Sequence, residues 1–189
     1  MSLKKEQIGA NFKRYMASAD KYGFMTPELE ELLGVDFIGA PASTALNLHN
    51  AFEGGLIAHI LEVMVKAYKL NLCFSEKLRV DENSLMKVAA LCQIGKTRLY
   101  VKNSEAWQVQ KQGKVYTFNE EIDSMRVGER SLYYALTSGV ELTEEEAQAI
   151  LYHDVELETN NKYYQSTLAR IVKDANLYAI LEEKALDDV

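Results

Sequence analysis

Cysteine and proline are scarce in this sequence, and each scarcity excludes a class of protein. The 189 residues include two cysteines, Cys73 and Cys92, which are too few for the disulfide framework of a small secreted domain. Only two prolines occur, Pro27 and Pro41, and no internal repeat or Pro/Gly-rich linker divides the chain. Because proline breaks helices, this composition favours a helical chain, and its 48% hydrophobic content is enough for one packed core.

Long apolar runs are also missing. The most apolar stretch, residues 55–65, contains His59 and Glu62, so it is too short and too polar to span a bilayer. The charged start of the sequence, MSLKKEQIGANFKRYM, lacks the apolar segment of a secretory signal peptide. We therefore expect a cytoplasmic protein without a membrane partner.

Basic residues are outnumbered by acidic ones. The sequence has 28 acidic and 21 basic side chains, which gives a net charge of −7. An acidic surface repels the phosphate backbone of nucleic acids, so nucleic acid is not expected as a general partner. A local basic pocket remains compatible with this charge.

Apolar residues recur at helical spacing along most of the chain. The spacing predicts helices over about 3–20, 27–33, 55–72, 83–94, 128–138, 144–153 and 164–184. One stretch departs from this period, because residues 107–118 alternate apolar and polar side chains around Gln112 and Gly113. Such alternation about a central turn predicts a β-hairpin over Trp107–Phe118. The expected fold is mainly α, a helical bundle with a small β-hairpin insert.

Four segments, in this order, resemble the HD phosphohydrolase superfamily, in particular phage-associated and exoribonuclease-associated HD domains. They are His49-Asn-Ala-Phe-Glu-Gly-Gly-Leu-Ile-Ala-His59, Leu91-Cys-Gln-Ile-Gly-Lys96, Val127-Gly-Glu-Arg-Ser131, and Leu142–His153 followed by Arg170–Asn176. They are similar to the HH-x-x-x-GGLLEH, LHDIGK, GHGEKS, and LTxEExxAIxxH with xxADxL segments of that superfamily. The resemblance covers about residues 45–182. It implies an HD-like domain over 45–189, with residues 1–44 as a helical extension packed on the same domain.

The resemblance also implies which residues line the site. His59 takes the place of the first metal-binding histidine, and Cys92 and Gln93 take the places of the adjacent His-Asp pair. His153 and Asp174 take the places of a late histidine and of the terminal aspartate.

Simpler roles compete with these assignments. His59 could be a core histidine and Cys92 a small buried apolar side chain. Asp174 could form a surface ion pair with Arg170 or Lys173.

Cationic side chains near the second segment are candidates for anion binding. Lys96 takes the place where HD enzymes contact a substrate phosphate. Arg98 and Arg130 are further candidates for anion binding. The competing interpretation is that each is an exposed, solvated cation.

The chemistry of HD hydrolases needs a divalent cation, which lowers the pKa of a bound water and neutralises charge on phosphoryl oxygens. The amide of Gln93 is an uncharged, weak ligand, and Val127 stands where another histidine belongs. We therefore expect no cofactor and impaired catalysis. The predicted function is a degenerate HD domain that retains a pocket for a small phosphate-containing ligand, or a role in binding or assembly.

Two alternatives stay open, so the sequence leaves undecided whether the chain is an enzyme. One is an active, metal-dependent phosphohydrolase whose altered ligand set is His59, Cys92, His153 and Asp174. The other is a purely structural interaction domain without a ligand. A homodimer is compatible with the eleven tyrosines of the chain.

Overall fold

The computed structural model describes residues 3–155 and 164–187. These residues form the helices α1 (Lys5–Tyr22), α2 (Pro27–Gly39), α3 (Gly55–Cys73), α4 (Glu82–Leu91), α5 (Ala106–Gln112), α6 (Val127–Thr137), α7 (Glu144–Tyr152) and α8 (Thr167–Asp187). Two strands, β1 (Tyr100–Lys102) and β2 (Tyr116–Phe118), and two 3-10 turns, Glu76–Leu78 and Ile94–Lys96, complete the architecture. The prediction of a mainly α fold with a small antiparallel β element is confirmed. In these two ranges no helix has both the length and the apolar character that crossing a membrane requires.

Helix α3 is the central helix of the fold. Its side chains Leu56, Ile60, Val63 and Ala67 recur at helical spacing and are fully buried. Helices α8, α4, α1 and α2 pack around it, and α7 packs on α8. Side chains of α1 and α2 belong to the same buried core, so the N-terminal helices pack on the rest of the chain rather than apart from it.

The β element differs from its prediction. Residues Ala106–Gln112 form helix α5, so the predicted first strand over residues 107–112 is wrong. Strand β2 pairs antiparallel with β1 instead, with Val101 opposite Thr117. Trp107 is 53% exposed, so the alternating apolar residues do not pack on one face of a sheet, and the intervening glutamines and lysine favour helix. Gly113 ends this helix at φ 64°, a left-handed conformation that suits glycine.

Two glycines let α6 lie close to the segments that carry the buried polar residues. A Cβ atom on Gly95 would lie 2.5 Å from the carbonyl oxygen of Val127, and one on Gly128 would lie 2.5 Å from a carbonyl oxygen in the last turn of α7. Ser131 of α6 completes the contact, since its Oγ donates to the Cys92 carbonyl at 2.7 Å and accepts from the Gly95 N–H at 2.9 Å. The turn that follows α4 is therefore fixed on α6.

Candidate functional site

The three histidines of the chain meet in one buried polar cluster. His59 lies in α3 and His153 directly follows α7, and both are fully buried. The ring centroids of His49 and His59 are 4.7 Å apart. Burial lowers the pKa of all three imidazoles, and the positive charge of Lys96 lowers each pKa further. We define the polar centre as His49, His59, Gln93, Lys96, His153, Asn176 and Glu183.

His59 is held at both ring nitrogens by α8. Its Nδ1 lies 2.9 and 3.1 Å from the two carboxylate oxygens of Glu183, so this nitrogen carries a proton and donates it. Its Nε2 lies 2.9 Å from the side-chain oxygen Oδ1 of Asn176. Burial lowers the pKa of His59 to about 3, which keeps the ring neutral at pH 7.

Two side-chain amides belong to the polar centre. Gln93 is 2% exposed, and its Nε2 donates to Asn176 Oδ1 at 3.0 Å. Asn176 therefore links α3 and the segment after α4 through two hydrogen bonds. The sequence analysis had not selected Asn176. The sequence did offer a signal for Asn176, because it directly follows Ala175, and in the similar xxADxL segment of HD domains the aspartate directly follows an alanine.

Asp174 lies outside the polar centre. It precedes Asn176 by two residues in α8, which turns its side chain roughly 200° away around the helix. Its carboxylate pairs with Arg170 at 3.2 Å, with both side chains well exposed. Asp174 was expected in the site, but the structure places it in a surface ion pair with Arg170, whereas Asn176 lies beside His59.

Cys92 is present as a buried thiol. Its Sγ donates to the carbonyl oxygen of Ala89 at 3.5 Å, and the residue is fully buried. Burial raises the pKa of the thiol, and the negative charge of Asp154 raises it further. Because metals bind the thiolate form, a thiol held protonated in this way is a poor ligand.

Lys96 carries a buried ammonium group. The residue is 8% exposed, and its Nζ donates to the carbonyl oxygen of Ala42 at 2.9 Å. Burial lowers the pKa of Lys96 to about 8, against the opposing effects of the negative charges on Asp154 and Glu183. Among residues 3–155 and 164–187, Lys96 forms no ion pair. Its direct hydrogen bond thus goes to one neutral acceptor, while the negative charges of Asp154 and Glu183 act on it without direct contact.

Three atoms of the polar centre are buried without a hydrogen-bond partner in the described part of the chain. They are His49 Nε2, Gln93 Oε1 and His153 Nε2. His153 Nδ1 donates to the Ile150 carbonyl at 2.8 Å, so the neutral ring presents Nε2 as an acceptor. Because buried polar atoms are normally paired, three unpaired atoms in one cluster mark a place for ligand atoms or water.

A cavity of about 420 Å³ is lined by residues that neighbour the polar centre along the chain. Ala40, Pro41 and Thr97 contribute to its wall, and these residues directly adjoin Ala42 and Lys96, whose hydrogen bond is described above. Charged and aromatic side chains complete the lining, among them Asp36, Glu53, Arg98, Tyr100, Lys102 and Tyr116. The cavity is thus a solvent-facing space whose wall includes the chain neighbours of Ala42 and Lys96.

The two arginine candidates lie in different surroundings. Arg98 is a largely exposed wall residue of this cavity; it donates to the Leu32 carbonyl at 3.1 Å and lies 3.8 Å from Asp36. Arg130 is 4% exposed rather than a solvated cation, and it donates to the Asp123 carbonyl. Arg98 therefore stays a candidate for contact with an anion in the cavity. Arg130 bonds its own chain through Nη2, while its buried Nε has no hydrogen-bond partner among the described residues.

The residues of the polar centre do not fit the divalent cation of an HD hydrolase. His49, His59 and Glu183 bring possible ligand atoms within 4.8 Å of one another, yet Nδ1 of His59 already donates to Glu183. The remaining positions hold the neutral amides of Gln93 and Asn176, which supply little charge to a metal ion. No hydrolytic step through a metal ion is therefore derived from this geometry.

Comparison with known proteins gives no match to a family model, to a curated protein or to a solved structure. The resemblance to the HD superfamily thus rests on the four sequence segments.

Proposed function

We propose that this chain is an HD-like helical domain that binds a small phosphate-containing anion at the polar centre and does not hydrolyse it. The observation that carries the proposal is the buried ammonium group of Lys96, whose hydrogen bond goes to one backbone carbonyl. Three neutral imidazoles lie near this cation. An anion brought next to Lys96 would compensate its charge in a region where water is largely excluded.

The mixture of donors and acceptors favours phosphate over other anions. Lys96 is a donor, whereas Nε2 of His153 is an acceptor without a partner among the described residues. A ligand that satisfies both must offer an oxygen that accepts and a hydroxyl that donates. A phosphate monoester has a second pKa of about 6, so near neutral pH it presents both kinds of oxygen. Sulfate presents acceptors alone.

The absence of hydrolysis follows from the donor set. Gln93 and Asn176 replace charged ligands with neutral amides, which supports binding without catalysis. The alternative ligand set of His59, Cys92, His153 and Asp174 is less well supported, because Asp174 pairs with Arg170 outside the polar centre and Cys92 is held as a thiol.

Isothermal titration calorimetry tests the proposal with inorganic phosphate, a nucleoside monophosphate and sulfate as probes. We expect a phosphate probe to bind near pH 6.5 and sulfate not to bind. Lys96→Met keeps the apolar length of the side chain but removes the charge, and it should weaken phosphate binding by about tenfold or more. Lys111→Met is the matched control, since Lys111 is an exposed lysine of α5 outside the lining of the cavity, and it should bind like the wild type.

Two results would overturn the proposal. One is a wild-type protein that binds neither phosphate probe. The other is a folded Lys96→Met variant, checked by circular dichroism, with undiminished affinity. A metal-dependent hydrolysis of phosphodiesters or nucleotides that Asn176→Ala abolishes would instead support the enzymatic alternative.

A further inference from the structure

The outward side of α3 carries apolar side chains that the fold leaves exposed. Val65, Tyr68 and Leu72 follow one another at helical spacing and are 36–46% exposed. On the neighbouring helix α8, Tyr178 and Leu181 are each more than half exposed. A contiguous apolar surface of this kind marks an interaction site.

These α3 side chains form a ridge between two grooves. A groove of about 510 Å³ lies between α1 and α3, and the buried side chains of Met64 and Met86 contribute to its lining. A second groove, of about 470 Å³, lies between α3 and α8 and includes Tyr178 and Leu181. Lys69 borders both grooves. We refer to the ridge with its two grooves as the α3 face.

The shape of the α3 face is complementary to itself. Helices pack when the side-chain ridge of one enters the groove of another. The α3 face presents both elements side by side, so a two-fold axis would place the ridge of each copy in a groove of the other. Methionine in the lining of a groove adapts readily to an inserted side chain such as Tyr68.

The charges of the α3 face nearly cancel. Its basic side chains are Arg14, Lys21, Lys66 and Lys69, and its acidic ones are Glu62, Glu82 and Glu182. Lys21 pairs with Glu82, and Lys66 pairs with Glu62 and Glu182. The whole chain carries a charge of −7, so two copies repel each other across most of their surface. The α3 face lacks this excess of negative charge.

We propose that the α3 face binds a second copy of this chain. Its 19-residue helix α3 is about 28 Å long, and α1 and α8 lie about 10 Å to either side, which gives about 600 Å² per copy. Two copies would bury about 1,200 Å² in total, which is the lower end of the range of about 1,200–2,000 Å² for stable interfaces, so the α3 face is large enough for a symmetric dimer. This proposal does not depend on ligand binding at Lys96.

Sedimentation velocity of the full chain at micromolar concentrations tests the dimer. The wild type should sediment with twice the 21.4-kDa mass of one chain. Tyr68→Glu and Leu181→Glu each bury a charge in the interface and should sediment as monomers. Trp107→Glu is the matched control, because Trp107 is 53% exposed on α5, away from the α3 face, and it should remain dimeric.

Labelling of Cys73 gives a second measurement that needs no variant. Cys73 is exposed in the groove between α3 and α8, whereas Cys92 is buried, so alkylation under native conditions reports on Cys73. Its rate should fall as the protein concentration rises. A wild type that is monomeric with a concentration-independent alkylation rate would overturn the proposal, and so would folded Tyr68→Glu and Leu181→Glu variants that remain dimeric.

Discussion

His59 and Asn176 lie side by side in the core, with Nε2 of the imidazole 2.9 Å from the asparagine amide. The contact joins α3 to α8. The asparagine amide carries no negative charge, which a divalent metal ion would need at this place. The affinity of the polar centre for metal should therefore depend on very few side chains.

Restoring charged ligands should create metal affinity. In the triple variant Cys92→His, Gln93→Asp, Asn176→Asp, we expect the affinity for Mn²⁺ or Zn²⁺ to increase by about tenfold or more over the wild type, measured by calorimetry. The double variant that retains Asn176 is the matched control and should bind more weakly. Adding Asp174→Ala to the triple variant should change nothing, because that carboxylate pairs with Arg170. A loss of metal on this addition would contradict the placement of Asn176 in the site.

The stability of the fold should decrease as the pH falls from 7 to 5. Burial holds the pKa of His59 at about 3, far below the ordinary value near 6.5 that applies in the unfolded chain. Below pH 6.5 the unfolded chain therefore binds a proton that the folded chain does not. His59 alone should lower the free energy of unfolding by about 1.4 kcal/mol for each pH unit, until the pH reaches the pKa of His59 in the folded chain. Burial lowers the pKa of His49 and His153 as well, so they act in the same direction.

Urea denaturation at pH 7 and pH 5 measures this dependence. The three histidines are all in the polar centre, so replacing His59 with glutamine should reduce the difference between the two pH values. An unchanged free energy of unfolding between pH 7 and pH 5 would show that the imidazoles are not held neutral.

Gly95→Ala should destabilise the fold by about 2 kcal/mol or more. The new Cβ would meet the Val127 carbonyl at 2.5 Å and the Ser131 N–H nitrogen at 2.8 Å, and backbone cannot move as easily as a side chain. Gly9→Ala is the control, since nothing lies within 4 Å of its added Cβ in the middle of α1. There alanine should stabilise by about 0.5–1 kcal/mol. Equal effects of the two changes in urea denaturation would argue against the close contact of α6 with this turn.

Ser131→Ala should lower the free energy of unfolding by about 1–3 kcal/mol, because the Gly95 N–H and the Cys92 carbonyl would lose their partner. Ser18→Ala serves as the comparison, since the Ser18 hydroxyl bonds an exposed carbonyl in its own helix. Thermal unfolding should show little change for Ser18→Ala. If Ser131→Ala melts like the wild type, the two buried hydrogen bonds contribute nothing to stability.

The helices could be predicted because the apolar residues that recur at helical spacing are the residues that the fold buries. Leu56, Ile60 and Val63 follow the helical period and are buried in α3. The strand over residues 107–112 was predicted wrongly because local alternation there has no sheet to pack on, and Trp107 stays exposed.

The polar centre could be predicted in part. His59, Gln93 and His153 stand at positions marked by their flanking residues, and the structure brings them near one another. Asn176 was missed because the acidic Asp174, two residues earlier, was matched to the terminal aspartate of the HD segment. Glu183 had no local signal at all, since its contact with His59 spans 124 residues and depends on how α8 packs against α3.

Asn176 and Glu183 lie seven residues apart in α8, which is close to two helical turns, and both bond the same imidazole. Sliding α8 by one turn along α3 would move each of them about 5.4 Å and break both bonds at once. Apolar contacts alone distinguish such shifts poorly, because after a shift of one turn another apolar side chain of α8 would take the place of the first against α3. His59 thus selects one axial position of α8 from several that the apolar surfaces would accept, so the histidine contributes to the uniqueness of the fold as well as to the chemistry of its centre.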